Sequence, residues 1–169
     1  MIFKVEDGTG FSDSTSYVDV AYADSYISFY YPNDTQWSGK SQGQKELALV
    51  FATRFLDRNS KWVAELHKKT QALAWPRTEF KDAEGRTIDA GTIPMLLKDA
   101  TTVLAYESLS SDLYDNGVLI TSQKYGSSSE TYAGPVRDGG NAAVSKILKD
   151  FRRLGYAASA STLLTVQRA

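Results

Sequence analysis

Four stretches of this sequence carry apolar residues at helical spacing, and each stretch lies between residues that start or stop helices. The second stretch begins at Ser41 and Gln44, a capping-box pair whose side chains can satisfy the free amides of a first turn. The pattern therefore predicts a mainly α fold, a small bundle of about four helices. The predicted helices run from Asp19 to the residue before Pro32, from Ser41 to Asn59, from Pro94 to about Leu113, and from Asn141 to Leu154, with Gly155 as the final stop. In the second helix the predicted core face is formed by Leu47, Val50, Phe51, Arg54 and Phe55, widened by Ala48 and Ala52.

The remaining segments have no helical period. Residues 1–15 contain few apolar side chains and are predicted to form an extended N-terminal arm. Residues 62–93 predict a long ordered loop, and β-branched residues near Gly126 predict one β-hairpin at about residues 118–132. Residues 156–169 predict an extended C-terminal tail, so residues 16–155 form the predicted helical domain.

Composition limits the chemistry of the chain without choosing a partner. The 169 residues suffice for about one domain, and 19 basic against 20 acidic residues argue against a globally basic nucleic-acid binder. Since the sequence has no cysteine, disulfides, thiolate metal sites and cysteine nucleophiles are excluded. The sequence shows no signal-peptide pattern and no apolar run of membrane-spanning length, which predicts a soluble, cytoplasmic protein without membrane contact.

Candidate catalytic residues are scarce. His67 is the one histidine, and it has no partner for a triad or a two-histidine metal site, so we expect it to be solvated. The carboxylates Asp57, Glu65, Glu79, Asp82, Glu84 and Asp89 have no metal-ligand spacing, and turn formation explains the polarity around Gly85. The sequence therefore predicts no catalytic, cofactor or metal site, and the protein is not expected to be an enzyme.

Two surface features favour contact with a macromolecule. The last helix carries Lys146, Lys149, Arg152 and Arg153, a row that is either a solvated helix face or a surface for an acidic partner or nucleic acid. Aromatic residues make up 12% of the chain and are concentrated at residues 26–31. Because no basic residue interrupts that group, core packing and protein contact are favoured over base stacking.

An ordered succession of short motifs is more specific than the periodicity. The succession is Ser16–Val18, Ala52–Asp57, Trp62, the string Gln-Ala-Leu-Ala-Trp-Pro-Arg at 71–77, Ile88–Asp89, Ile93–Pro94 and Lys98–Ala100. Over residues 16–115 it resembles the tailed-phage neck proteins that are labelled DnaT-like single-stranded-DNA-binding proteins and are similar to head–tail connector, or head-completion adaptor, proteins.

The resemblance implies a structural virion protein located in the phage neck, and in the host cytoplasm during assembly. It implies a ring, usually a dodecamer, that binds beneath the portal vertex and connects the portal protein to the next neck or tail component, with DNA passing through its lumen. No cofactor is implied. By analogy with similar adaptors, the portal or partner interface is placed at the end of the chain, at Lys146, Lys149, Arg152, Arg153, Leu163, Leu164 and Arg168.

The motif residues Trp62, Trp75, Pro76 and Arg77 are assigned a structural role. Trp75 is predicted to be buried with its indole N–H hydrogen-bonded, and Arg77 to pair with an acid of its own or a neighbouring chain. An intrachain core and an intersubunit contact both remain open for this segment. The alternative function is single-stranded-DNA binding through the basic last helix and exposed aromatic side chains.

Overall fold

The structure is a computed structural model and describes residues 2–113, 123–125, 128–130 and 142–158. The mainly α fold with a β-hairpin near residues 118–132 is confirmed. The elements are α1 (Val20–Tyr30), α2 (Gln42–Asn59), β1 (Phe80–Lys81), β2 (Thr87–Ile88), α3 (Met95–Glu107), β3 (Gln123–Tyr125), β4 (Ser128–Glu130) and α4 (Ala142–Arg153). Strands β1 and β2 form one antiparallel pair, and β3 and β4 form another.

The helix starts follow the predicted capping chemistry. The Asp19 carboxylate accepts the Tyr22 amide at 2.7 Å at the start of α1. At α2 the Gln44 amide donates to the Ser41 hydroxyl and the Ser41 amide donates to the Gln44 side chain, which completes the capping box. Pro94 is the N-cap of α3, whereas the sequence predicts it as the first residue of the helix. Asn141, the predicted cap of α4, lies outside the described residues.

The prediction that the third helix continues to about Leu113 is wrong, because α3 ends at Glu107. Serines follow that end, and their hydroxyls bond back to helix carbonyls: Ser108 Oγ donates to the Ala105 carbonyl at 2.7 Å and Ser110 Oγ to the Glu107 carbonyl at 3.3 Å. Such side-chain bonds compete with the continuing helical pattern. Leu113 is nevertheless buried, so it packs in the core although it lies outside the helix.

The core lies where α2 packs along α3, with α1 and α4 also packed against α3. The predicted core face of α2 is confirmed for Ala48, Val50, Ala52 and Phe55, and it is wrong for Leu47, Phe51 and Arg54. Leu47 is 70% exposed and Phe51 36% exposed, and the buried side chains of α2 are Ala48, Leu49, Val50, Ala52, Thr53, Phe55 and Leu56. Residues 47–52 are all apolar, so helical spacing alone does not select a face, and contact with α3 selects the one centred on Leu49, Ala52 and Leu56.

The N-terminal segment differs from the expected extended arm, because residues 4–16 close into a loop around one carboxylate. Glu6 is 2% exposed, and its carboxylate accepts the amides of Gly8, Gly10 and Phe11 and the hydroxyl of Ser14 at 2.7–3.0 Å. These four hydrogen bonds replace the hydrogen bonds to water that the carboxylate loses when it is buried. Sequence spacing gave no sign of this closure, since Glu6 had no pattern that distinguished it from surface acids.

Inside the long loop, β1 and β2 form a short hairpin that was not predicted. The buried Asp82 carboxylate accepts the amides of Glu84 and Arg86, and it also accepts the Arg86 guanidinium at 2.8 Å. Gly85 completes the turn with a φ of 79°, a conformation that favours glycine. The turn at Glu84–Gly85 is therefore confirmed, and it closes a hairpin.

Candidate functional site

The motif segment at residues 71–77 is fixed to α2 through a buried polar cluster. The Tyr17 hydroxyl donates to one carboxylate oxygen of Asp57, and the Ala74 amide donates to the other at 2.9 Å. The Trp75 amide in turn donates to the Tyr17 hydroxyl at 3.2 Å. The Trp75–Pro76 peptide bond that follows is cis. Residues from three motifs of the succession, at Tyr17, at Asp57 and at Ala74–Trp75, therefore meet at one place.

The electrostatics of this cluster are set by burial. Desolvation raises the pKa of Asp57 from 3.8 to about 6, although the bonds from Tyr17 and Ala74 and the charge of Arg77 act in the opposite direction. Burial and the adjacent Asp57 carboxylate raise the pKa of Tyr17 well above its ordinary value. The cluster therefore holds a carboxyl group that titrates well above the usual range of an aspartate.

Arg77 does not form the expected ion pair within the described residues. Its Nη1 donates to the Ala64 carbonyl at 3.2 Å, and its Nε is buried without a hydrogen-bond partner in the described part of the chain. Burial lowers the pKa of Arg77, while the charges of Tyr17 and Asp57 oppose that effect. The charge of Arg77 thus lowers the pKa of Asp57 without a hydrogen bond between the two side chains.

Trp75 belongs to a buried aromatic cluster that joins the long loop to α4. Its ring lies 5.7 Å from Trp62, 5.9 Å from Phe80 and 6.1 Å from Tyr156 between centroids, and Trp62 lies 5.0 Å from Phe151 on α4. Trp75 is 1% exposed, so its predicted burial is confirmed. The predicted indole hydrogen bond is wrong, because the Trp75 Nε1 has no partner among the described residues.

Residues 156–158, which the sequence predicts as the start of an extended tail, pack against the core. Tyr156 and Ala157 are each 6% exposed and belong to the core. The Val63 amide donates to the Tyr156 carbonyl at 3.0 Å, and the Ala158 amide donates to the Lys61 carbonyl at 2.8 Å. Residues 156–158 are therefore part of the folded domain.

The predicted basic row lies on the outer side of α4. Val144, Leu148 and Phe151 face the core, and Lys146, Lys149 and Arg153 are exposed on the opposite side. Arg152 is half-buried, and Arg153 approaches Asp150 at 3.5 Å. Arg152 and Arg153 each have an interaction within the protein, while Lys146 and Lys149 are exposed. Leu163, Leu164 and Arg168 lie outside the described residues.

A second surface is aromatic and lies at the end of α1. We call Phe29 and Tyr30 the aromatic knob: they are 77% and 61% exposed, with ring centroids 4.9 Å apart. The Tyr30 ring also lies 4.5 Å from Tyr26. Tyr31 instead packs on Tyr106 of α3, at 4.5 Å. The predicted aromatic group therefore divides into a half-buried part and an exposed pair.

A third surface, which the sequence analysis assigned to the core, is apolar and concave. We call it the α2 groove: its walls are Leu47, Ala48 and Phe51 of α2 and Leu109 after α3, and its volume is about 370 Å³. Lys40, Gln44 and Ser108 also line it. Leu47 forms a ridge, because it also lines a smaller cavity beside Ile2 and Phe3. Leu47, which the sequence analysis placed on the core face, is 70% exposed beside these apolar residues.

The other candidate groups stay apart. His67 is half-buried and donates its amide to the Pro76 carbonyl at 3.2 Å, so it is less exposed than expected. Among residues 2–113 and 142–158, no group of three or more histidine and acidic side chains could hold a metal ion. None of the described helices is long and apolar enough to cross a membrane.

The residues that the structure describes form a small, mainly helical fold with a basic, an aromatic and an apolar surface among its exposed parts. A family model with the description "Putative DnaT-like ssDNA binding protein" matches residues 1–169. The chain therefore belongs to this family. Comparison with curated proteins and with solved structures gives no match.

Proposed function

We propose that the protein is a structural subunit of a phage neck, a head-to-tail adaptor that forms a ring beneath the portal vertex. The motif succession over residues 16–115 supports this role by its resemblance to neck proteins. The observation that carries the proposal is the exposure of large apolar side chains on a small chain. Ile2 and Leu47, which line one cavity, are 85% and 70% exposed, and Phe29 is 77% exposed beside Tyr30 at 61%.

Such exposure favours a protein that works in contact with other chains. Exposed apolar surface costs free energy in water, and soluble monomers rarely leave large contiguous patches of it uncovered. A ring subunit uses two different surfaces, one for each neighbour, and further surfaces for the components above and below it. The apolar and aromatic surfaces suit the neighbours, and the basic row of α4 suits an acidic surface on the portal protein.

The experiment is binding of the full chain to purified portal rings. Reversing the charges with Lys146→Glu and Lys149→Glu should weaken binding at least tenfold, because both side chains are exposed on α4 and away from the core. The matched control is Lys68→Glu with Lys69→Glu, which makes the same charge change in an exposed loop and should leave binding within about twofold.

A truncation after Ala158 tests the tail separately. It keeps Tyr156 and Ala157 in the core, so folding should be preserved, whereas a truncation after Gly155 should destabilise the domain. The shortened chain should bind portal rings more weakly than the intact one. Equal portal binding by the intact chain, the truncated chain and the charge-reversed variant would remove the portal assignment of this end of the protein.

The second candidate function is single-stranded-DNA binding, favoured by the description of the family and by the exposed Lys146 and Lys149 on α4. Phosphate contacts of this kind make affinity fall steeply with salt, with a log–log slope of about 0.7 per phosphate neutralised. Fluorescence anisotropy of a labelled oligo(dT) should then show tight binding at low salt, and the double charge reversal should lower the slope by about 1.4. No binding at about 20 mM salt would eliminate this candidate.

A further inference from the structure

A short loop with two lysines is exposed just before the motif segment at residues 71–77. We call Leu66, Lys68 and Lys69 the lysine loop: Leu66 is 40% exposed, and both lysine side chains are exposed. Among the residues that the structure describes, neither lysine forms an ion pair. Residues 65–69 hold these two lysines against one acid, Glu65, so the loop is positive.

The lysine loop and the aromatic knob lie at opposite ends of α3. Tyr31, which follows the knob, packs on Tyr106 in the last turn of α3, at 4.5 Å between ring centroids. The His67 ring, in the lysine loop segment, lies beside Gly91, four residues before α3 begins. The 13 residues of α3 rise by about 20 Å along the helix axis. The two surfaces are therefore too far apart to contact each other within one chain.

The knob lies at the negative end of two helices. The Tyr22 hydroxyl donates to Asp99 at 2.6 Å near the starts of α1 and α3, and Tyr31 packs on Tyr106 near their ends. The two helices therefore run in the same direction, and both end beside the knob. Neither α1 nor α3 has a basic residue in its last turn, so neither compensates the negative end of its own helix dipole.

Acidic side chains add to the negative charge at this end. Residues 5–39, which include all of α1, contain six acids and no lysine or arginine. Asp34 lies three residues after Tyr31. Burial alone would raise the pKa of Asp34, but hydrogen bonds from the residues that follow lower it below 3.8, so this carboxylate is ionised at neutral pH. Lys45 approaches α1 from α2, and its charge is paired with Asp24 at 2.8 Å.

We propose that the lysine loop of one copy of this chain docks on the aromatic knob of the next copy. The inference rests on the proposed function only in that copies of the chain associate, and it names the surfaces that they use. A lysine over an exposed aromatic ring gains from cation–π attraction while its stem covers the ring. Leu66 adds an apolar contact. Such a contact joins two different surfaces, so it repeats head to tail and can close a ring.

The chain already makes contacts of this kind within itself. Lys4 Nζ lies 3.8 Å from the centroid of the Phe11 ring, and Lys98 Nζ lies 5.9 Å from that of Tyr22. In the knob the rings of Phe29 and Tyr30 contact each other, 4.9 Å apart between centroids, so little side-chain freedom is lost on docking. Charge also selects the pairing: two knobs would bring negative helix ends together, and two lysine loops would bring lysines together.

The test uses two complementary variants of the full chain. The knob variant, Phe29→Ser with Tyr30→Ser, keeps the lysine loop, and the loop variant, Lys68→Glu with Lys69→Glu, keeps the knob. All four side chains are exposed, so the substitutions leave the core intact. Circular dichroism and thermal unfolding confirm that each variant is folded. Phe29→Ser alone removes the more exposed ring and replaces the knob variant if the double substitution does not fold.

Two controls match the two kinds of substitution. Ile2→Ser removes an apolar side chain that is 85% exposed and lies on neither surface. Lys61→Glu with Lys81→Glu makes the same charge change at two exposed lysines of other segments. Both controls should associate within about twofold of the parent chain.

Sedimentation at rising concentration gives the outcome. The parent chain should self-associate, and each surface variant alone should associate at least tenfold more weakly. An equimolar mixture of the two variants should form a heterodimer and nothing larger, because only one intact knob and one intact loop remain. Association of the knob variant alone would mean that the knob is not needed, and association of the loop variant alone would mean knob-to-knob pairing; either result overturns the proposal.

Salt provides an independent measurement. Raising it from about 0.05 M to about 0.5 M should weaken association of the parent chain several-fold, because the attraction between lysines and negative helix ends is screened. Association that salt leaves unchanged or strengthens would mean apolar pairing and would overturn the proposal. So would a parent chain that stays monomeric up to about 1 mM, or a variant mixture without heterodimer.

Portal binding separates this inference from the proposed function. It is measured with portal rings in excess, so that bound copies have no neighbours, and under that condition the loop variant keeps its portal binding. Portal binding by a chain whose association ignores both surface variants refutes the contact between lysine loop and knob and leaves the adaptor role standing. The expected heterodimer without any portal binding keeps the contact and refutes that role.

Discussion

Replacement of Asp57 by asparagine should remove a component of stability that depends on pH. Burial raises the pKa of Asp57 in the folded chain to about 6, against an ordinary value of 3.8. Between these two values the folded state holds a proton on Asp57 and the unfolded state does not. The stability from this group is therefore fully present below pH 3.8 and is lost as the pH rises through about 6.

The magnitude follows from the gap between the two pKa values, since each pH unit corresponds to about 1.4 kcal/mol. The gap from 3.8 to about 6 gives a total loss of about 3 kcal/mol once the pH is above both values. The asparagine side chain of the variant would be neutral at every pH. Its amide can accept the Ala74 N–H with one atom but cannot reproduce both acceptor contacts of the carboxylate, which adds a cost that does not change with pH.

The assay is urea unfolding of the parent and Asp57→Asn at pH 4, 5, 6 and 7, followed by circular dichroism. Subtracting one free energy of unfolding from the other cancels the other carboxylates, including Asp34 and Asp82, whose pKa values are lowered in the folded chain. The difference should shift by about 2 kcal/mol in favour of the variant from pH 4 to pH 7, because part of the total change lies below pH 4. A difference that is constant with pH, or that shifts in favour of the parent, would refute the burial argument.

Two further pairs of substitutions have expected outcomes. Trp37→Phe should lower the free energy of unfolding, measured in urea, by about 1 kcal/mol more than Trp75→Phe does. The reason is that the Trp37 indole donates to the Asp24 carboxylate of α1 at 2.6 Å, whereas the Trp75 indole has no partner among the described residues. Equal costs would contradict that assignment. Gly8→Ala should lower the melting temperature by several degrees, because Gly8 has a φ of 106° and a Cβ there would lie 2.0 Å from the Gly91 carbonyl oxygen. Gly43→Ala should raise it slightly, because a Cβ on α2 at that position meets nothing within 4 Å; a loss at Gly43 as large as at Gly8 would show that the close approach is not the cause.

The helices were predictable where local chemistry decides them. Asp19 and the Ser41–Gln44 pair make hydrogen bonds within a few residues of themselves, and Gly155 ends α4 in the left-handed conformation expected of a glycine. Such contacts depend on sequence neighbours, and a pattern in the sequence is enough to reveal them.

The surfaces were less predictable, because distant contacts decide them. In α2 the apolar run at residues 47–52 offers several faces, and packing against α3 leaves Leu47 exposed. Asp57 has the sequence pattern of an ordinary acid, because its partners Tyr17 and Ala74 lie 40 and 17 positions away. Glu6 accepts from donors only two to eight positions away, but no motif in that loop predicts its closure around a carboxylate. The small residues that follow Tyr156 in the sequence predict a tail, while its packing partners, Trp75 and Phe80, precede it by more than seventy residues.

The contact between Trp62 and Phe151 gives the protein an optical reporter of its own. Trp62 lies against the inner side of α4, opposite the exposed Lys146 and Lys149. A macromolecule that binds those lysines and tilts the helix would change the surroundings of the Trp62 indole. The wavelength and intensity of its fluorescence would then change as well. Such binding would change the intrinsic fluorescence of the unlabelled protein, to which Trp37 and Trp75 also contribute.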